Sequence, residues 1–338
     1  MIVVMKERAT EKEIEGAIKR VKELGCTEHV MRGVERTVIA ALGDERGKNM
    51  EEALRVLAGV ENVMPVLKPY QLASNEGRPE RTVVDVNGVK FGGPQLVVVA
   101  GPCSVESREQ IFASADAVKA GGGHVLRGGA FKPRTSPYSF QGMAEEGLKL
   151  LAEARDRTSL PIQTEVMDTE DIDLVADYAD ILQIGARNVQ NFSLLKKVGK
   201  LKKAIFLKRG LSTTIEEYLM SAEYVMSQGN PNVILCERGI RTFETALRNT
   251  LDISAVPVLK EQTHLPVMVD PSHAAGVWRF VPALSKAAVA VGADGLMIEI
   301  HPDPASAMSD GPQSLKPKNF AQLMKDLAPF AKAAGRTL

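Results

Sequence analysis

Short apolar runs and amphipathic stretches alternate from the first residue of this chain onward. MIVVM is a β-branched run, and Thr10 and Glu13 hold the spacing of a capping box ahead of a helix. Ile14, Ile18 and Val21 recur at helical spacing until Gly25 stops the pattern. HVMR and RTVIAAL read as two strands across Gly33, followed by a helix near 49–58 and a strand in VMPVLKP. The order β-α-β-β-α-β predicts a small ferredoxin-like domain over residues 1–70. Residues 71–81 are polar, with Gly and Pro, and read as a linker. VVDVNGVKF then places two alternating runs around Asn87-Gly88, a strong hairpin signal.

Beyond residue 94 the runs become nearly continuous: QLVVVAG, HVLRG, LPIQTEV, ADILQIG, AIFLKRG, NVILCERG, LPVMVDPSH and DGLMIEIH. Helical segments separate them. Ser107 and Gln110 cap one, whose Ile111, Ala115 and Val118 form an inward stripe. Ile215, Leu219, Ala222 and Met226 mark another, ended by Gly229. Eight apolar strands alternating with helices predict a (β/α)₈ TIM barrel over residues 82–338, with the hairpin at its N-terminal end. A doubly wound sheet is the alternative, but the even repeats favour closure.

Composition narrows the function classes. Lys+Arg and Asp+Glu both number 42, so net charge is zero, which favours neither a nucleic-acid binder nor a membrane-surface binder. No apolar run is long enough to span a bilayer, and the opening MIVVMKERATEKE does not have the pattern of a signal peptide. The cysteines, Cys26, Cys103 and Cys236, are an odd and scattered set, which points to a reducing, cytoplasmic setting.

The first polar groups after the eight barrel runs are Cys103, Arg127, Glu165, Arg187, Lys208, Arg238, His273 and Glu299. Chemistry in such barrels sits where the strands end. Lys132 and Arg134 add to the set, so a neutral protein carries a local funnel of positive charge. Its ligands should be small and multiply anionic, with phosphate and carboxylate suited to Arg forks. Cys103, His273 and Glu299 end the first, seventh and eighth strands, which become neighbours once a barrel closes, and Asp310 follows in the last loop. Thiolate, imidazole and two carboxylates suit one divalent metal ion, with Mn²⁺, Fe²⁺, Co²⁺ and Zn²⁺ all open. Lys208 could instead form a Schiff base, but so many anion-binding neighbours argue for a phosphate or carboxylate contact. Cys236 reads as core and His124 as structural. His301 and Asp303 are candidates for supporting the metal ligands, and His29 reads as a surface histidine.

The motifs AGPCSVES (100–107), LRGGAFKPRTSPYSFQG (126–142), QIGARNVQN (183–191), LKRG (207–210), ILCERGIRTFE (234–244), LDISAVP (251–257), VDPSHAAG (269–276) and SDGPQSL (309–315) resemble those of 3-deoxy-D-arabino-heptulosonate 7-phosphate (DAHP) synthases. The resemblance is to the type Iβ branch, which carries an N-terminal ferredoxin-like regulatory domain, and it covers essentially the whole chain. It implies condensation of phosphoenolpyruvate with erythrose 4-phosphate to DAHP and phosphate, the first step of the shikimate pathway. It also implies roles. Arg127, Lys132 and Lys208 would hold the phosphoenolpyruvate carboxylate, and Arg187 and Arg238, with the Ala186 N–H, its phosphate. Arg134, Thr135 and Ser136 would take the aldose phosphate. The metal on Cys103, His273, Glu299 and Asp310 would polarise the aldehyde, and Glu165 would orient the enol or manage a proton. Feedback inhibition by tyrosine or phenylalanine through the N-terminal domain, and a homotetramer, follow from the same resemblance.

Two rivals stand beside this reading. 3-Deoxy-octulosonate 8-phosphate synthases join phosphoenolpyruvate to arabinose 5-phosphate on a similar barrel with a similar ligand set. Their acceptor loop carries a K-A-N-R-S-type stretch where this chain has KPRTS, which favours erythrose 4-phosphate. A sensor of anionic metabolites that turns nothing over is the other, and the presence of all four metal ligands argues against it.

Overall fold

The computed structural model describes residues 1–33, 36–43, 49–65, 68–76, 78, 80–133 and 136–338, in two compact units, Met1–Gln71 and Leu72–Leu338. In the first unit, β1 (Ile2–Met5), α1 (Glu11–Glu23), β2 (Thr27–Arg32), β3 (Thr37–Leu42), α2 (Met50–Arg55) and β4 (Val60–Met64) build an antiparallel sheet of order β2-β3-β1-β4. That is the ferredoxin-like arrangement. The capping box forms: Thr10 Oγ1 accepts from the Glu13 N–H at 3.4 Å, and Glu13 Oε2 accepts from the Thr10 N–H at 2.7 Å. The stripe below it buries Ile14, Ala17 and Val21 against Val3, Met5, Ile39, Met50 and Leu54. The last strand differs from expectation. It lies at Val60–Met64 rather than across VMPVLKP, because Pro65 has no N–H to extend the ladder. Val66 and Leu67 of that run lie outside the described residues.

The second unit begins with the hairpin β5 (Val84–Val86) and β6 (Val89–Phe91). Asn87 and Gly88 both have positive φ, 50° and 88°, as a two-residue turn of this kind requires. The strands β7 (Val97–Gly101), β8 (Val125–Arg127), β9 (Ile162–Glu165), β10 (Ile181–Ile184), β11 (Ala204–Lys208), β12 (Val233–Glu237), β13 (Val267–Val269) and β14 (Gly295–Glu299) run parallel. β14 pairs with β7 and closes them into an eight-stranded barrel. Around it lie α3 (Arg108–Ala120), α4 (Ala144–Thr158), α5 (Ile172–Tyr178), α6 (Phe192–Val198), α7 (Ile215–Met226), α8 (Ala255–Gln262), α9 (Pro271–Ala275), α10 (Val281–Ala290) and α11 (Pro317–Ala333). Ser107 Oγ caps α3 by accepting from the Gln110 N–H, and Ile111, Ala115 and Val118 are fully buried. No helix of the described residues is long and apolar enough to cross a membrane.

Val84, Val86 and Phe91 of the hairpin share one buried cluster with Val97, Val99, Val125, Phe206, Ile234, Met268 and Met297. The hairpin therefore plugs the barrel at the N-terminal ends of its strands, leaving the opposite mouth open. The segment expected as a linker bonds to this unit. The N–H groups of Leu72 and Ala73 donate to Glu223, and Asn75 donates to the Glu261 carbonyl.

A buried carboxylate ties the closed end together. Asp294, 1% exposed, accepts from the Val267 N–H at 2.7 Å and from Lys260 at 2.9 Å, and it also pairs with Arg81 and Arg336. These partners come from β13, from α8, from the segment before the hairpin and from the C-terminus. Asp294→Asn keeps the shape but strands three cations. Arg81 and Lys260 retain water contact, so the expected loss is about 3 kcal/mol, the low end for a broken buried pair. A fall of several degrees in the thermal midpoint checks it; an unchanged midpoint would make the cluster ornamental.

Candidate functional site

Strand alternation builds the site. A residue two positions past an inward apolar side chain also points inward, so the interior register carries on past the apolar layer to the open mouth. Arg127 follows Val125, Gln183 follows Ile181, and Lys208 follows Phe206. Arg238 follows Cys236, Asp270 follows Met268, and Glu299 follows Met297. The same parity that fills the plugged end with Val, Ile, Phe and Met supplies cations and carboxylates at the other. Arg127, Lys132, Arg187, Lys208 and Arg238 line one cavity of about 360 Å³, together with Glu165, Ala186 and Ser136. Arg134 and Thr135 lie outside the described residues.

On one side of this mouth, Cys103, His273, Glu299 and Asp310 each place a donor atom within 4.8 Å of the others. Cys103 Sγ lies 3.3 Å from Asp310 Oδ2, and His273 Nε2 lies 3.3 Å from Glu299 Oε1 and 4.0 Å from Asp310 Oδ2. Asp270 sets the imidazole. Its Oδ2 sits 2.6 Å from His273 Nδ1, and its Oδ1 accepts the His273 N–H at 2.9 Å. A carboxylate at Nδ1 keeps the proton there and turns the Nε2 lone pair toward the cluster. Burial drives His273 down to about 4 despite the carboxylates of Asp270 and Glu299, so the ring is neutral at physiological pH. Burial pushes the Cys103 thiol up to about 11, and Glu299 adds to the shift. Burial alone would raise Asp310, but the Arg248 guanidinium beside it outweighs that and holds the carboxyl far below its usual range. One thiol, one neutral imidazole and two ionised carboxylates at this spacing fit a divalent ion of borderline softness.

The cations interlock with that cluster. Arg127 pairs with Glu299, Lys132 Nζ donates to Cys103 Sγ at 3.1 Å and to its carbonyl at 2.9 Å, and Lys208 Nζ donates to Asp270 Oδ2 at 2.5 Å. Arg238 is different: it is 5% exposed, and its Nε is buried with no hydrogen-bond partner. Burial lowers the pKa of its guanidinium, which marks a cation short of an anion. Arg187 is exposed on the short 3₁₀ turn Ala186–Asn188. Glu165 Oε2 accepts from Gln183 Nε2 at 3.2 Å, and a Cβ at Gly185 would lie 2.0 Å from Glu165 Oε1, so only glycine lets the carboxylate lie there.

Several neighbours were not singled out from sequence. Asp270 and Gln183 were accessible through alternation alone. Arg209, beside Lys208, points elsewhere. It bridges Glu237 at 2.9 Å and Asp252 at 2.7 Å, while Glu237 Oε1 accepts the Gly239 N–H at 2.6 Å and fixes the turn around Arg238. Ser309, Arg248 and Gln313 sit in aperiodic loops, where spacing carries no signal. His301 does not touch the ligand cluster. It contacts Glu106 at 3.2 Å, and Glu106 also accepts the Met308 N–H, which pins the loop leading to Asp310. Cys236 is buried in β12, and His124 Nδ1 accepts the Val98 N–H, both as expected of structural residues.

With this geometry in place, the likeness to known proteins is specific. Residues 78–333 match the DAHP synthetase I family, and residues 1–68 match the DAHP synthase ferredoxin-like domain. A phospho-2-dehydro-3-deoxyheptonate aldolase of Thermotoga maritima is 50% identical over 335 residues, covering 99% of each chain. A 2-dehydro-3-deoxyphosphooctonate aldolase of Rhodopseudomonas palustris is 34% identical over 273 residues, 75% of this chain and 94% of its own. The crystal structure of the Thermotoga maritima DAHP synthase superposes with a TM-score of 0.95 at 50% identity, over 99% of this chain and 98% of that one. The barrel with its buried ligand cluster, the ferredoxin-like unit and these matches together place the chain in the DAHP synthase family of enzymes, complete with that family's ferredoxin-like domain.

Proposed function

We propose that the chain is a metal-dependent 3-deoxy-7-phosphoheptulonate synthase, joining phosphoenolpyruvate to erythrose 4-phosphate to give DAHP and phosphate. The observation that carries this reading is the mouth itself, where a sulfur, nitrogen and two-oxygen donor set stands beside six cations that line one cavity. The 50% identity over 99% of the chain to a heptonate aldolase, against 34% over 75% for an octonate aldolase, supports the four-carbon acceptor.

In this reading Arg238 and Arg187, with the Ala186 N–H, take the phosphate of phosphoenolpyruvate. The buried and unpartnered Nε of Arg238 is the donor that most needs such an anion. Arg127, Lys132 and Lys208 neutralise its carboxylate. Arg134, Thr135 and Ser136 receive the phosphate of the aldose. Cys103, His273, Glu299 and Asp310 would hold the metal, which supplies Lewis-acid polarisation of the aldehyde. Carbon 3 of the enol forms the new bond to the aldehyde carbon, water adds at carbon 2, and phosphate leaves as its C–O bond breaks. Glu165, fixed by Gln183, orients the enol or manages the proton. A regulatory role for the ferredoxin-like unit, with tyrosine or phenylalanine as effector, and a homotetramer in the cytoplasm complete the reading.

Phosphate release by the purified chain with Mn²⁺ tests it. Release with erythrose 4-phosphate, loss of release on adding a chelator and its return with excess metal are the expected results. Release with arabinose 5-phosphate alone would assign the chain to octulosonate synthesis, and release with neither sugar would favour a sensor. The same assay with tyrosine or phenylalanine, on the full chain and on one lacking residues 1–70, reads the regulatory part: inhibition should disappear with the deletion.

A further inference from the structure

We propose that Gln313 and Arg248 are positioning residues that join the two carboxylates of the metal site into one unit. The inference rests on the reading of Cys103, His273, Glu299 and Asp310 as metal ligands. Gln313 is 2% exposed and lies on the short turn Gly311–Gln313 that follows Asp310. Its Nε2 donates to Glu299 Oε2 at 2.7 Å, and its Oε1 accepts from Arg248 NH1 at 2.8 Å. Arg248 NH1 in turn lies 3.2 Å from Asp310 Oδ2. A guanidinium can only donate and a carboxylate can only accept, so the orientation of the Gln313 amide is fixed by its two partners. The chain Glu299–Gln313–Arg248–Asp310 thus ties the end of β14 to the loop after it through the long loop that follows β12.

Each link has a geometric consequence. Gln313 holds Glu299 Oε2, while Oε1, which also accepts from Arg127, faces the cluster 3.3 Å from His273 Nε2. The carboxylate is thus anchored at both oxygens, which fixes the plane in which Glu299 meets the cluster. Asp310 sits at φ 50°, a left-handed backbone that a non-glycine residue holds only when its surroundings enforce it. The Arg248 contact and the Ser314 hydroxyl, which donates to the Asp310 carbonyl at 3.2 Å, supply that enforcement. Ligand groups held before the ion arrives lose less freedom on binding it, and supporting hydrogen bonds of this kind are worth about 10–100-fold in metal affinity.

Gln313→Met keeps length and volume but neither donates nor accepts at these positions. Titration of the metal-stripped full chain with Co²⁺, followed by calorimetry and by absorption, tests the proposal. The expected result is affinity lower by about 10–100-fold, with shifted d–d bands and a retained thiolate-to-cobalt charge-transfer band, since Cys103 still ligates. Arg248→Lys, which keeps the charge but ends one bond short of the NH1 that reaches both Gln313 and Asp310, should shift the bands the same way with about a tenfold loss. Gln313→Met that binds Co²⁺ within threefold of the parent, with an unchanged spectrum, overturns the proposal. If that variant does not fold, Arg248→Lys decides by the same two readouts. A parent chain that takes up no stoichiometric Co²⁺ overturns the metal reading itself and this inference with it.

Discussion

Replacing Cys103 by serine is expected to lower both divalent-metal affinity and turnover by at least about a hundredfold. Burial raises the thiol to about 11, so an anionic sulfur forms near neutral pH only when a divalent cation stands beside it. A serine hydroxyl titrates far higher still and stays neutral in the same place, a poor ligand for a borderline metal. The substitution is otherwise conservative, because Lys132 Nζ and Ser309 Oγ, at 3.1 and 3.0 Å from the sulfur, can both bond a hydroxyl. The thermal midpoint of the metal-stripped protein should therefore stay within a degree or two of the parent. In the Co²⁺ form the near-ultraviolet thiolate-to-cobalt band should vanish. A serine variant that keeps that band, or binds Co²⁺ as the parent does, would remove Cys103 from the ligand set.

Much of this site was legible because it inherits the regularity of the strands. Lys208 ends AIFLK and Glu299 ends GLMIE, so apolar runs with a polar last residue announce both the barrel and its polar mouth. The convergence of Cys103, His273 and Glu299 required only that a barrel close between its last strand and its first. Asp270 shows a partial failure. It lies two residues beyond Met268, whose inward face the same alternation implies, but in VDPSH the histidine is the more distinctive metal donor and the aspartate reads as a simple helix cap. Arg248 and Gln313 were not legible by any period, since they meet Glu299 and Asp310 only through tertiary placement of two irregular loops. The misplaced fourth strand of the small domain has a simpler cause. VMPVLKP is apolar enough for a strand, but a proline within the run ends the ladder, and the pairing residues lie upstream at Val60–Met64.

Arg238→Met should separate function from stability, moving them in opposite directions. Arg238 is 5% exposed, and its Nε finds no partner, so the folded chain carries a buried donor at a cost of about 1–3 kcal/mol. Methionine keeps the aliphatic stem and removes the unmet donor, so the ligand-free variant should melt a few degrees higher than the parent. Activity should collapse. A guanidinium gripping a phosphate makes charge-assisted bonds of about 1.5–3 kcal/mol each, and losing two lowers kcat/KM for phosphoenolpyruvate by roughly a hundred- to a thousandfold or more. Ligand-dependent melting tells this apart from a merely misplaced loop. Phosphoenolpyruvate should raise the midpoint of the parent, because it binds the folded state, and should leave the variant nearly unmoved at the same concentration. A variant that melts lower than the parent and is still stabilised by phosphoenolpyruvate would mean that Arg238 is a packing residue and that the phosphate sits elsewhere in the mouth. The opposite pattern identifies the strain at Arg238 as a cost that the ligand-free fold bears for phosphate recognition.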